Sequence, residues 1–84
     1  MEPFDALRVR ERLQGAGILP TVQRIAVAAV LMQRPAQESP EQVLRAVREL
    51  LPGISLLTVA RVLRLFARKR FLDATATPRA ATAG

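Results

Sequence analysis

Arg61, Arg64 and Arg68 recur at four- and three-residue spacing within ISLLTVARVLRLFARKRF (residues 54–71), and Lys69 and Arg70 follow directly. No acidic residue occurs between residues 51 and 72. Guanidinium groups at that spacing share one face of a helix, where they can form forked bonds to phosphate oxygens or to the N7 and O6 edge of guanine. The competing reading is a solvated face that keeps a small domain soluble. A purely structural charged face would often carry acidic partners four residues away, and this one has none. Arg24 is the other candidate. It stands at the start of a helix, where its charge opposes the dipole, so it needs a partner: a ligand, or Glu38, Glu41 or Glu49. Arg8 and Arg12 are interrupted by Glu11 and read as a solvated surface.

Other chemistry has few residues to work with. The chain contains no His, Cys or Tyr, and its two serines, Ser39 and Ser55, sit where helix caps belong. No carboxylate pair is fixed on one buried face, so catalysis is not expected. Without His or Cys, a tight transition-metal site would rest on 7 scattered acids, and no metal or other cofactor is expected. The net charge of +6 and a pI near 11.7 favour a polyanionic partner, nucleic acid before anionic membrane. The longest apolar run, residues 25–32, is too short to span a bilayer. No signal-peptide pattern opens the chain, so the cytoplasm is the expected location.

Four helices must position these groups. In residues 4–14, Phe4, Leu7 and Leu13 share one side, with Val9 and Arg10 at its edges, and Gly15 and Gly17 end the pattern. Thr21 caps a second helix that is apolar nearly all round (Ile25, Val27, Ala28, Val30, Leu31) and should be the most buried, with Pro35 ending it. SPEQ at residues 39–42 is a capping box with Pro at the first helical position. The third helix then runs through Val43, Leu44, Val47, Leu50 and Leu51 to a stop at Pro52 and Gly53. Ser55 caps a fourth helix reaching about Arg70, with Val59, Leu63 and Phe66 on one face and Val62 at its border. Leu57, Arg61, Arg64 and Arg68 lie on the opposite face. One small domain over residues 1–72 is expected, with a flexible Ala/Thr-rich tail over residues 73–84.

GILPTVQR (residues 17–24), ESPEQV (38–43) and ISLLTVARVL (54–63) occur in one order and at one set of separations. In these the chain resembles the N-terminal domain of the ferric uptake regulator family over residues 7–72. The corresponding family stretches are G-L-R-x-T-x-Q-R, H-x-S-A-E-E-I and I-S-L-A-T-V-Y-R-T-L. The resemblance implies a mainly α, four-helix winged helix-turn-helix domain whose helix after Ser55 enters the DNA major groove. It matches Thr58 and Arg61 to residues of the DNA-facing helix, and Arg24 to the second-helix arginine.

The departures are specific. Ala60 stands at the family's tyrosine, Leu19 at a basic residue, Leu57 at an alanine, and Gln37 at a histidine that helps bind a regulatory metal. The family's second domain, which carries dimerisation and metal binding, has no counterpart in these 84 residues. The sequence after Arg70 is poor in strand formers, so the wing is expected to be reduced to residues 71–75 or absent.

Two functions follow as expectations. The first is a small, metal-independent DNA-binding protein acting in transcription, with Arg24, Thr58, Arg61, Arg64, Arg68, Lys69 and Arg70 against double-stranded DNA. The second is a protein-interaction module on a degenerate winged-helix fold. It would pair with itself or with a full-length regulator of the same family through Leu57 and Leu65, which project near the arginines. A membrane role ranks below both, because interfacial aromatic anchors are nearly missing.

Overall fold

The computed structural model describes residues 5–34 and 39–71, which form four helices: α1 (Ala6–Gly15), α2 (Val22–Gln33), α3 (Pro40–Val47) and α4 (Leu56–Arg68). No strand occurs among the described residues, and the fold is mainly α, as expected. The tail expected over residues 73–84 lies outside the described residues, as do Phe4, Pro35 and Gln37. Of the wing expected at residues 71–75, only Phe71 is described, and it is helical rather than extended.

Each helix starts on a side chain that accepts bonds from its first free N–H groups. Asp5 Oδ1 accepts from Leu7 and Arg8 (3.0 and 3.3 Å), and Thr21 Oγ1 accepts from Arg24 (3.2 Å). Ser39 and Gln42 complete the capping box, with Gln42 N donating to Ser39 Oγ (3.2 Å) and Ser39 N to Gln42 Oε1 (2.9 Å). Ser55 Oγ accepts from Thr58 N (3.1 Å). These short-range bonds occupy groups that would otherwise face only water, which stabilises each cap by about 1 kcal/mol.

α2 is the axle. Ala26, Val27, Ala28, Ala29, Val30 and Leu31 are all buried, and α2 packs against each of the other three helices, while α3 and α4 also pack together. Three of those six residues are alanines, whose small side chains let neighbouring helices approach closely on more than one side. Ile25, expected in the core, is half-buried at its margin. The core has no buried polar or charged side chain among the described residues.

Three sequence expectations shift in the structure. On α1 the buried stripe is Val9 and Leu13, while Leu7 is 65% exposed. α1 is covered mainly by α2, so only a narrow i, i+4 stripe is buried. α3 ends at Val47, short of Pro52: past it the N–H groups of Glu49 and Leu50 donate to Ala46 O and Val47 O (3.2 and 2.8 Å), tight three-residue bonds that carry the chain out of the helix through turns at residues 48–50. Arg48 Nε donates to Ile54 O (3.1 Å) and ties that connection down. On α4, Val59, Val62 and Phe66 are buried and Leu63 is half-buried, so Val62 and Leu63 exchange the places expected of them. The stripe is rotated by less than one residue.

Two helix ends use left-handed backbone. After α1, Gly17 has φ 77°, its N–H donates to Gln14 O (3.0 Å), and Ile18 N donates to Leu13 O (2.9 Å). This paired-bond turn brings Ile18 back beside Leu13, both buried. An added Cβ at Gly17 would meet nothing closer than Lys69 Nζ at 4.0 Å, so the demand for glycine comes from φ alone. Gly17→Ala therefore destabilises the domain by about 0.5–1 kcal/mol, the strain of about 1–2 kcal/mol being partly offset by the stiffer unfolded chain, measurable as a lower urea midpoint with an unchanged denaturant slope.

Candidate nucleic-acid interface

At about 100° per residue, burying Val59, Val62 and Phe66 turns Arg61, Arg64 and Arg68 outward. All three are exposed, and Leu57 stands in the same wedge one turn before Arg61. The ridge is thus a direct consequence of how α4 seats on α2 and α3.

Beside the ridge, α4 and the first turn of α2 enclose a cleft of about 390 Å³ lined by Thr21, Gln23, Arg24, Thr58, Arg61, Val62, Leu65 and Arg68. Arg24, Arg61 and Arg68 come together here although they are distant in sequence. Arg24 is half-buried, and its Nη1 donates to Leu19 O (3.0 Å), which anchors one arm of the guanidinium and fixes its direction. Among the described residues, the internal partner of Arg24 is thus a backbone carbonyl of the α1–α2 turn, while Glu38 lies outside them. Its remaining N–H groups can serve a ligand in the cleft.

Thr58 is held ready by its cap. Ser55 Oγ accepts from Thr58 N and donates its proton to Thr58 Oγ1 (3.0 Å). Thr58 then keeps its own hydroxyl proton to donate. The cleft is thus lined by three guanidiniums and a hydroxyl, of which Arg24 and Thr58 are held by hydrogen bonds.

The remaining candidates divide. Arg64 is on the ridge but does not line the cleft. Lys69 leaves the group, since its Nζ comes near Gly17 at the C-terminal end of α1, where a cation favourably meets the helix dipole. Arg70 is exposed and follows the α4 C-cap with φ 56°. Leu57 is 60% exposed. Leu65 is half-buried, packed on the core and lining the cleft, rather than projecting freely beside the ridge. Thr21 and Gln23 join the cleft as well. The signal for them was present in the T-x-Q-R spacing of residues 21–24, which puts all three side chains in one helical turn.

The model of the ferric uptake regulator family matches residues 15–82. The chain belongs to the ferric uptake regulator family. The match starts at the end of α1 rather than at residue 7, and it includes α2, α3, α4 and the cleft. No curated protein and no solved structure gives a significant match. Membership places the chain among DNA-binding transcription regulators at the level of the family, a family of regulators rather than enzymes. No described helix is long and apolar enough to cross a membrane. A regulatory metal does not fit this donor set: among the described residues no three His, Cys, Asp or Glu side chains converge, and the sequence has neither His nor Cys.

Arg70 marks the point where this ferric uptake regulator domain accepts local strain. Its N–H donates to Ala67 O (3.2 Å), and the left-handed turn folds Phe71 back so that its ring lies 4.7 Å from that of Phe66. Helices ordinarily use glycine at this position. Arg70→Gly relieves about 1–2 kcal/mol of backbone strain and loses about half of that to greater unfolded-state freedom. The expected result is a net gain of roughly 0.5–1 kcal/mol in chemical denaturation.

Proposed function

We propose that the chain is a small, metal-independent DNA-binding protein acting in transcription in the cytoplasm, with α4 in the major groove of double-stranded DNA. The observation that carries this is the exposed, acid-free ridge of Arg61, Arg64 and Arg68 beside the cleft that holds Arg24. Family membership supports the same reading. In this mechanism Arg24, Arg64, Arg68 and Arg70 neutralise phosphates and set the register of α4. Thr58 donates its hydroxyl, and Arg61, nearer the entering end of the helix, reaches a guanine edge. Lys69 adds charge at the periphery.

A second reading is favoured by one feature, the exposed apolar side chains Leu19, Val22, Leu56 and Leu57. In that reading the chain pairs with itself or with a full-length regulator of the family. Leu65 contributes little to it, because the core already covers part of that side chain.

The discriminating measurement is fluorescence anisotropy with mixed-sequence duplex DNA over a salt series. Four to five neutralised phosphates give a log-log salt slope near −4, and Arg64→Ala/Arg68→Ala reduces its magnitude by about 2. Arg70→Gly serves as the internal control. It should weaken binding while raising stability, so that its loss of affinity cannot be attributed to unfolding. Absence of salt-dependent binding to any duplex overturns the proposal. A self-associating chain whose assembly survives Arg61→Glu/Arg64→Glu supports the second reading.

A further inference from the structure

Leu57 is an apolar side chain set inside a cationic ridge. It is exposed, occupies the second position of α4, and lies within about 40° of Arg61, Arg64 and Arg68 around the helix axis. A protein partner that covered Leu57 would also have to pair the three guanidiniums beside it with acids, because guanidiniums desolvated without partners are strongly unfavourable. The surface calls for a partner that is anionic overall yet offers small apolar groups at fixed intervals.

The major groove of duplex DNA has that composition. Thymine presents its 5-methyl group there, flanked by phosphates and close to the acceptor edges of neighbouring guanines. Recognition helices contact base edges mainly through their N-terminal residues, and Leu57 is in the first turn of α4. The lengths agree as well. Leu57 and Arg61 are separated by about 6 Å along the helix axis, and base pairs are spaced about 3.4 Å apart. The two side chains can therefore address bases about two steps apart. The cap between Ser55 and Thr58 holds the turn that carries Leu57 in place.

We propose that Leu57 is a specificity-determining residue that reads a thymine 5-methyl group, so that bound sequences carry a thymine within about two base steps of the guanine met by Arg61. This rests on the DNA-binding reading and extends it by naming the base and the group recognised.

The test enriches tight-binding duplexes from a randomised pool with the full chain, then replaces their thymines one at a time by deoxyuridine, which removes only the methyl group. At one thymine the wild type is expected to lose about four-fold in affinity. Leu57→Ala should bind the thymine duplex about four-fold more weakly and no longer distinguish thymine from deoxyuridine there. Leu57 is exposed and outside the core, so helix content and denaturation midpoint should be unchanged. Tight binding that is indifferent to every methyl group overturns the proposal, as does a Leu57→Ala protein that still discriminates. So does a Leu57→Ala protein that binds DNA normally but loses self-association in sedimentation, which would assign Leu57 to a protein interface. Failure to retain any duplex at low salt overturns the DNA-binding reading itself, and the two failures are thereby distinguishable.

Discussion

Phe66 is fully buried, packed against Phe71, and turned inward with Val59 and Val62. An aromatic ring buries roughly 150–250 Å² of surface, so this one side chain resists rotation of α4 more strongly than any charged group on its outer face could drive it. Rotation of α4 by a single residue, about 100°, would expose Phe66 and turn Arg61 toward the core. Both changes are heavily unfavourable, one by lost apolar burial and the other by charge desolvation. The direction of the arginine ridge is thus set from the inside of the molecule. α2 supplies the surface against which this happens, and its first turn supplies Arg24 to the cleft.

The left-handed turn at Arg70 belongs to the same arrangement. It sends Phe71 back onto Phe66, closing the end of α4 with a hydrophobic contact that helix C-termini often make. The strain at Arg70 is about 1–2 kcal/mol, while burying a phenylalanine side chain stabilises by about 1.5–3 kcal/mol, so the turn persists without glycine. What arginine adds there is an exposed charge just past the end of α4.

Much of this was legible in the sequence because much of it is local. Thr21, Ser39 and Ser55 cap the helices they were expected to cap, through bonds that reach only three residues. The burial of α2 followed from its apolar composition, and the outward face of α4 followed from its periodicity. What periodicity could not supply were outcomes decided by neighbours in space. Leu7 and Val9 lie on different sides of α1, and the position of α2 selects which one is buried. Val62 and Leu63 are adjacent residues at the edge of one stripe, and small rotations of α4 exchange them. The reach of Lys69 toward Gly17, and of Arg24 toward Leu19 O, joins residues across helix boundaries. The cleft between α2 and α4 has the same origin, so sequence alone could name its arginines but not assemble them.

The ridge adds little to the stability of the fold. Exposed ion pairs on proteins stabilise by about 0–1 kcal/mol each, and α4 has no acids of its own with which to form them. Arg61, Arg64 and Arg68 succeed one another at axial rises of about 4.5–6 Å, inside a screening length of about 8 Å, and so repel mildly. The helix dipole offsets this only toward the C-terminal end, where Arg68 and Lys69 sit. Arg61, a turn and a half from the N-terminus, gains little from it. A row of like charges that the fold does little to reward is consistent with a ligand that does. A phosphate backbone has the matching charge density, and counterion release makes its neutralisation favourable in proportion to the number of contacts.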